Sequence, residues 1–333
     1  MVASFVHCFA YLLNLVSMYK MLVDGEVVPV STAKENASYA GIHVAEGKFG
    51  EVKLSHYQSE NFTVVFIECG AEKSSTIEFL HDMVLPRLYL VLSGSQSQFI
   101  IEGTGLPLKE HQFGLFFSSH GNRAIHLSAG QSCVYLIVQF PTDFLKHMVP
   151  AYLPLAAFYV HAITRKKYVG HVFDLTDGMQ RELPKVSLIR ESNPLELKAK
   201  LEPLLRPFLE QAFAEVKRNE ENGWGDQGQL AENIRRAAAI IRQRPDVQHS
   251  LKSLSLQVGL SEGSLRRGFP KVYHKTISEY LTEIRLEAAV GLLLGTNLTE
   301  EAIAIRCGYY GNQSLIKVFK RRFGCTPGLI RST

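Results

Sequence analysis

Arg266 and Arg267, and about fifty residues further on Asn312, Gln313 and Lys317, carry the most specific chemistry in this chain. A guanidinium offers two parallel N–H donors that match O6 and N7 of guanine, and an Asn or Gln amide matches N6 and N7 of adenine. Lysine serves a guanine or a phosphate. Around these side chains stand Ser261, Ser264, Lys271, Lys320, Arg321 and Arg322, which are suited to holding phosphate oxygens. Such a set implies recognition of a nucleic-acid duplex.

Two stretches of similar design must position them: LKSLSLQVGLSEGSLRRGFPKVY (251–273) and LTEEAIAIRCGYYGNQSLIKVFKRRFG (298–324). Each has a short apolar helix pattern, a Gly at the turn (Gly259, Gly308), a polar start and a second helix rich in Lys or Arg. That is a helix-turn-helix pattern, whose second helix can enter the major groove. In the first unit Gly259 suits a left-handed turn and Ser261 an N-cap, with Leu265 and Phe269 inward. In the second, Thr299 caps the supporting helix, and Ala302, Ile303 and Ile305 are expected inside. Its reading helix starts near Gly311 and is expected to bury Leu315, Val318 and Phe319.

The two units are not equal. Gly263 has no side chain with which to read, and Gly268 and Pro270 fall inside the first reading helix, where Pro costs about 3 kcal/mol. Pro270 is expected to end or kink that helix. The first unit is therefore expected to hold mainly phosphates, and residues 311–322 to do most of the reading. Between the units TISEYLTEIRLEAAVGLLLG (276–295) reads as one helix with Ile277, Tyr280, Leu281, Ile284, Ala288 and Leu292 on a stripe. About nineteen residues span roughly 28 Å. With the packed flanks, that length places two reading helices about one DNA turn, roughly 34 Å, apart.

SLSLQVGLSEGSLRRGF, EYLTEIRLEAAVGLL and AIRCGYYGNQSLIKVFKRRFGCTP resemble the DNA-binding domain of AraC/XylS-type bacterial transcription regulators, over residues 230–333. GFPKVY and GYYGNQS resemble the siderophore-regulator-like branch. The resemblance implies a sequence-specific regulator of transcription, usually an activator. It further implies double-stranded DNA and RNA polymerase as partners, a small-molecule effector and a homodimer. By position it assigns base reading to Gly263, Arg266 and Arg267 and to Asn312, Gln313 and Lys317.

Charge supports the division. Residues 230–333 carry 16 Lys and Arg against 8 Asp and Glu, a net of +8, and the remaining residues carry 20 against 24, a net of −4. A basic module joined to a slightly acidic one is what a nucleic-acid reader with a separate sensing domain requires. A hydrophobic content of 46% with 20% charged residues excludes a disordered chain. Five cysteines without CxxC or zinc spacing favour neither a disulfide framework nor a metal site, and the cytoplasm is the expected compartment.

The N-terminal two-thirds reads differently. FTVVFIECG (62–70), RLYLVLSGS (87–95), SQFIIEGTG (97–105), QFGLFFSS (112–119) and CVYLIVQF (133–140) are apolar bursts separated by turn residues. They predict an antiparallel β domain over 40–190, with the rhythm of a cupin-like jelly roll. His111, His120 and His126 lack an HxH pair and a following Glu, so no metal, cofactor or catalytic set is expected. Arg87, Tyr89, His111, His126 and Tyr135 are the candidates for an effector pocket. PTDFLKHMVPAYLPL is read as helical, and TRKKYVGHVFDLTDG shows no clear element.

From Asn193-Pro194 a helical segment (193–220) places Leu197, Leu201, Leu204, Leu205, Phe208, Leu209, Ala212, Phe213 and Val216 on a stripe that reads as core against the β domain, as a dimer seam, or as both. Pro203 and Pro207 are expected to kink or split it. ENGWGDQGQ (221–229) reads as a linker. Residues 1–19 contain no charged side chain, within a hydrophobic N-terminal segment 1–25. That run has three readings: an upstream start ahead of Met18 or Met21, a docked hydrophobic helix, or a membrane anchor. The fold class is thus α+β and multidomain, with an N-terminal β domain with helices and an all-α tandem helix-turn-helix domain. Against a ligand-responsive regulator stand two other readings: a constitutive or architectural DNA binder whose β domain only dimerises, and a cupin-type enzyme fused to a DNA-binding module.

Overall fold

The computed structural model describes residues 20–35, 40–58, 62–80, 85–94, 98–101, 104–106, 108–118, 123–187, 194–223 and 228–333. Residues 1–19, His120, Asn193 and residues 224–227 of the expected linker lie outside them, as do the side chains of Leu197, Leu201 and Leu204. The chain divides into two compact units, one of residues 1–144 and 165–212, the other of residues 145–164 and 213–333.

The first unit is built on two antiparallel sheets. One has the order β10(Thr104–Leu106)-β9(Gln98–Ile101)-β12(Arg123–Leu127)-β7(Ser75–Leu80)-β1(Lys20–Val23)-β2(Glu26–Val28). The other has the order β14(Tyr168–Asp174)-β11(Gln112–Phe117)-β8(Arg87–Ser93)-β13(Ser132–Gln139)-β6(Thr63–Ala71)-β5(Gly50–Gln58)-β4(Ala40–Gly47)-β3(Ser31–Glu35). Each apolar burst of the sequence supplies a strand, as alternation on a half-buried sheet requires. Val65, Ile67, Cys69, Tyr89, Val91, Tyr135 and Ile137 point into a core shared with Met21, Ile77, Phe79 and Ile125 of the smaller sheet. The intervening Val64, Phe66, Leu88, Leu90, Leu136 and Val138 are also buried, so the middle of the larger sheet is covered on both faces. Cys69 and Cys133 stand directly opposite one another across β6 and β13 and form no disulfide.

Several elements fall outside the expected strands. β1 opens the smaller sheet from within the stretch read as a hydrophobic segment, and Met21 and Val23 are core residues. TRKKYVGHVFDLTDG, which showed no clear element, contains β14, paired with β11 through Phe113↔Phe173, and the start of the helix Asp177–Ser187. β14 is an edge strand with His171 and Gly170 in its middle, so it lacks a continuous apolar pattern. The helix Pro194–Asn222 is continuous through Pro203 and Pro207, neither splitting it. Both prolines are exposed and four residues apart, so the carbonyls that lose donors lie along one solvent-facing stripe. Leu205, Phe208, Leu209, Ala212, Phe213 and Val216 are buried, as the stripe predicts.

The second unit contains the helix-turn-helix motifs and is larger than residues 230–333. Leu153 packs where a Cβ on Gly291 would lie, 2.5 Å from its Cδ2, and the His161 ring meets Phe323 edge-on at 6.5 Å. The end of the long helix is tied down rather than free. The carbonyls of Glu220, Glu221 and Asn222 accept hydrogen bonds from Arg242 (2.7 Å), Tyr273 (2.9 Å) and Arg235 (2.7 Å). Cationic donors at a helix C-terminus satisfy its last carbonyls and match its dipole. Among the described residues no helix is long and apolar enough to cross a membrane.

Candidate nucleic-acid interface

In the first motif the supporting helix Leu251–Val258 is capped by Ser250, whose hydroxyl accepts from Ser253 N–H at 3.0 Å. It ends at Gly259 with φ 69°, in the left-handed region where glycine is unstrained. Ser261 caps the reading helix Glu262–Tyr273, accepting from Ser264 N–H at 3.1 Å, and also donates to the Ser264 hydroxyl at 2.8 Å. Leu265 and Phe269 face inward as expected, joined by Val272 and Tyr273. Arg266, Arg267 and Lys271 are exposed.

The two features expected to weaken this helix act differently. The helix runs through Pro270 to Tyr273, and His274 N–H reaches the Pro270 carbonyl at 2.9 Å. Pro270 stands in the third turn, so only the bond to the Arg266 carbonyl is forgone. Gly268 is buried against the N-terminal helix of the module, Gln229–Gln243, and a Cβ there would lie 2.5 Å from Ile234 Cδ1. Gly263 faces the Arg267 guanidinium, 3.3 Å from where its Cβ would be.

In the second motif Thr299 caps the supporting helix Glu300–Arg306, as its sequence indicates. The buried face is Ile303, Ala304 and Cys307. Ala302 is half-buried and Ile305 is 58% exposed, correcting the expectation for those two. A seven-residue helix has room for only one inward stripe, and the i, i+1, i+4 set at 303, 304 and 307 takes it. The chain turns at Gly308 with φ 78°. The reading helix Asn312–Phe323 buries Leu315, Phe319 and Phe323, while Val318 is only half-buried.

Gln313, Lys317, Lys320 and Arg321 are exposed, and none of the four holds an ion pair among the described residues. Asn312, expected to face outward, is half-buried with its side-chain oxygen inside and without a hydrogen-bond partner among the described residues. Its backbone N–H is taken by Glu301 Oε2 at 2.7 Å. Arg322 is also engaged within the protein, with Nη2 3.5 Å from Glu283 Oε1.

The helix Ile277–Gly295 joins the motifs and begins with a capping box. Glu279 N–H reaches the Thr276 hydroxyl at 3.3 Å, and Thr276 N–H reaches the Glu279 carboxylate at 2.8 Å. These bonds from Thr276 hold the Glu279 carboxyl below the usual carboxylate range. Tyr280 and Ile284 of the expected stripe are buried, and Leu281, Ala288 and Leu292 are half-buried. A helix with neighbours on two sides buries more than one stripe, which is why Leu286, Ala289, Val290 and Leu293 are inside as well.

Two of its charged residues, unremarked in the sequence, join the motifs. Arg285 donates to the Pro245 carbonyl (2.8 Å) and the Val247 carbonyl (3.1 Å) and lies over the Tyr309 ring. Glu283 meets both Lys275, at the end of the first motif, and Arg322, at the end of the second. Glu301 is a third residue missed. Its signal was indirect: a reading helix beginning at glycine has no local cap and must borrow one.

The effector candidates are not brought together. Arg87, Tyr89 and Tyr135 are buried on the inner face of the larger sheet. His126 lies on the opposite side of β12 from the core residues Ile125 and Leu127, bonded to the Thr76 hydroxyl at 3.0 Å, and His111 is an exposed turn residue with φ 61°. Alternation instead adds His43, His56, Thr63 and Gln139 to the inner face. All four are buried, with Thr63, Gln139 and Arg87 in direct cross-strand succession. The His43 and His56 rings stack at 5.3 Å, and burial, aided by His43, lowers His56 to about 4.

Comparison with known proteins addresses the helical unit. A model of a helix-turn-helix domain family matches residues 254–333. The transcriptional activator RhaR of Mannheimia succiniciproducens is 41% identical over 94 residues, 28% of this chain but only 34% of RhaR, about a third of its length. The C-terminal domain of AraT, a response regulator from Geobacillus stearothermophilus, is 29% identical over 32% of this chain and 88% of its own, with a TM-score of 0.30. The regulatory protein SoxS of Escherichia coli K12 is 32% identical over 27% of this chain and 83% of SoxS. With more than four-fifths of that relative covered at 32% identity, the chain belongs to the AraC/XylS family of helix-turn-helix transcription regulators.

Proposed function

We propose that the chain is a ligand-responsive transcription activator in which one molecule reads two successive major grooves. The observation that carries this reading is the pairing of two helix-turn-helix motifs through Arg285, each with uncommitted polar or cationic side chains on its reading helix. Arg266, Arg267, Gln313 and Lys317 are the base-reading groups. Ser261, Ser264, Lys271, Lys320 and Arg321 hold phosphates. Asn312 and Arg322, engaged within the protein, contribute through the shape of the helix. The exposed Gln313, Lys317, Lys320 and Arg321 make the second helix the main reader.

The effector belongs on the inner face of the β sandwich, where Gln139, Thr63, His56 and Arg87 place polar groups among apolar walls. RNA polymerase and a second copy of the chain are the partners that activation requires, in the cytoplasm.

Selection of duplexes from a randomised library by the purified chain, followed by hydroxyl-radical footprinting, tests the reading. The expected result is an enriched duplex protected on one face at two places about one helical turn, roughly 34 Å, apart. Enrichment of no sequence would favour a constitutive or architectural binder instead. On the enriched duplex, Gln313→Ala should cost about 1–3 kcal/mol and relax one position. Lys320→Ala should weaken all duplexes alike and lower the salt slope by about 1.

A further inference from the structure

The two reading helices are begun by different devices. Ser261 caps the first with its own hydroxyl, a neutral acceptor. The second begins at Gly311, which has no side chain, and its leading amide is taken by a carboxylate from the supporting helix: Glu301 Oε2 accepts from Asn312 N–H at 2.7 Å. The other oxygen lies 3.0 Å from where a Cβ on Gly311 would be, so the lean residue at 311 is what lets the carboxylate come this close. Asn312, held by its backbone, tucks its side-chain oxygen inside and leaves Gln313 as the first side chain presented outward.

A helix N-terminus carries about half a positive charge and unpaired amides, and in a DNA-reading helix it is a ready place for a phosphate. Here an exposed full negative charge already occupies it. We propose that Glu301 is a specificity-determining residue that stands where a DNA phosphate would otherwise bind the second reading helix. On a cognate duplex the helix is held by side chains reaching base edges, and the amide end is not needed. On an arbitrary duplex those side chains lack partners, and the alternative pose, with a phosphate on the helix end, is closed by the carboxylate. The penalty therefore falls mainly on non-cognate DNA. This inference rests on the DNA-reading role of residues 312–322 proposed above.

The test compares the full-length chain with its Glu301→Gln and Glu301→Ala forms, on the duplex enriched by the wild type and on a scrambled duplex of the same composition. Glutamine keeps an acceptor for Asn312 N–H but removes the charge, so its thermal melt should match the wild type. On the scrambled duplex its affinity should rise about fivefold, the effect of one unscreened charge near a phosphate. The salt dependence there should steepen by about one phosphate contact, a slope change near 0.9. Affinity for the enriched duplex should stay within about twofold. Alanine should raise scrambled binding similarly and, with the cap lost, weaken binding to the enriched duplex. A Gln form that matches the wild type on the scrambled duplex, or that gains equally on both duplexes, overturns the proposal and leaves Glu301 a cap only. A wild-type chain that enriches no duplex overturns the DNA-reading role and this inference together.

Discussion

The guanidinium of Arg285 lies 5.7 Å from the centre of the Tyr309 ring, and its donors face the other way, onto the Pro245 and Val247 carbonyls. One buried side chain thus bridges the loop that opens the first motif and the turn at the heart of the second. Gly308 makes the approach possible: a Cβ there would lie 2.6 Å from Arg285 Nη2 and 2.8 Å from the Asp246 carbonyl. Replacing Arg285 by Met should destabilise the helical unit by about 2–4 kcal/mol in urea denaturation, since two charge-assisted hydrogen bonds go and two carbonyls lose donors. Arg285→Lys should recover less than half of the loss, because a single ammonium cannot reproduce the fork. Full recovery with Lys would mean that charge alone, and not the two-carbonyl geometry, joins the motifs.

Two glycines in the first reading helix separate packing from propensity. At Gly263 an added methyl would meet only the mobile end of Arg267, at 3.3 Å, so Gly263→Ala should stabilise by about 0.5–1 kcal/mol through helix propensity. At Gly268 it would strike Ile234 Cδ1 at 2.5 Å inside the core, so Gly268→Ala should cost about 1–3 kcal/mol despite the same propensity gain. Ile234→Val, which removes that atom, should restore part of the loss in the double variant. Equal effects at the two sites in thermal melts would contradict this reading of the packing.

These residues also show how far the sequence was readable. Local signals carried well: Gly259, Gly308, Ser261 and Thr299 mark turns and caps because a left-handed φ or an orphan amide permits few residue types. The helix Ile277–Gly295 is legible from its apolar stripe. What stayed hidden depends on partners distant in sequence. Gly268 read as a defect until Ile234 was beside it, and Asn312 read as an outward amide until Glu301 held it. In the β sandwich the same limit applies more strongly. His43, His56, Thr63 and Gln139 come from four strands, and only the register of the sheet puts them on one face. Of the polar residues chosen near strands, Arg87, Tyr89 and Tyr135 lie on the inner face of the larger sheet, whereas His111 and His126 face elsewhere.

Glu287 makes the helical unit sensitive to pH. It is 8% exposed, and burial pushes its carboxyl up to about 8. Glu283 and Glu220 add to the rise, while Arg242 and Lys275 oppose it. The folded state holds this proton more tightly than the unfolded chain, so its contribution to stability is complete below pH 4.5, the ordinary carboxyl value, and is lost as pH rises through about 8. Glu287→Gln fixes the neutral form. Its melting temperature should match the wild type near pH 4 and exceed it by a margin that grows to several degrees near pH 8.5, since each pH unit between the two values is worth up to about 1.4 kcal/mol. Parallel melting curves from pH 5 to 9 would show that Glu287 ionises freely in the folded protein.

Gln139 sits at the centre of the proposed effector face, 1% exposed, and neither atom of its amide has a hydrogen-bond partner among the described residues. Its cross-strand neighbours are Thr63 and Arg87. Burying an amide without partners costs about 1–3 kcal/mol, which a sandwich of purely structural purpose would avoid with an apolar residue. Gln139→Met removes the polar atoms at nearly constant volume, so it should raise the unfolding free energy of the unliganded protein by about 1 kcal/mol or more. The same change should abolish any stabilisation that a bound effector confers, read as the loss of a melting-temperature shift with the small polar compound that produces one in the wild type. Unsatisfied groups kept at a cost are characteristic of a binding surface, where the ligand supplies the missing partners. If the Met form is less stable than the wild type and still responds to the compound, Gln139 is a packing residue and the effector is held elsewhere.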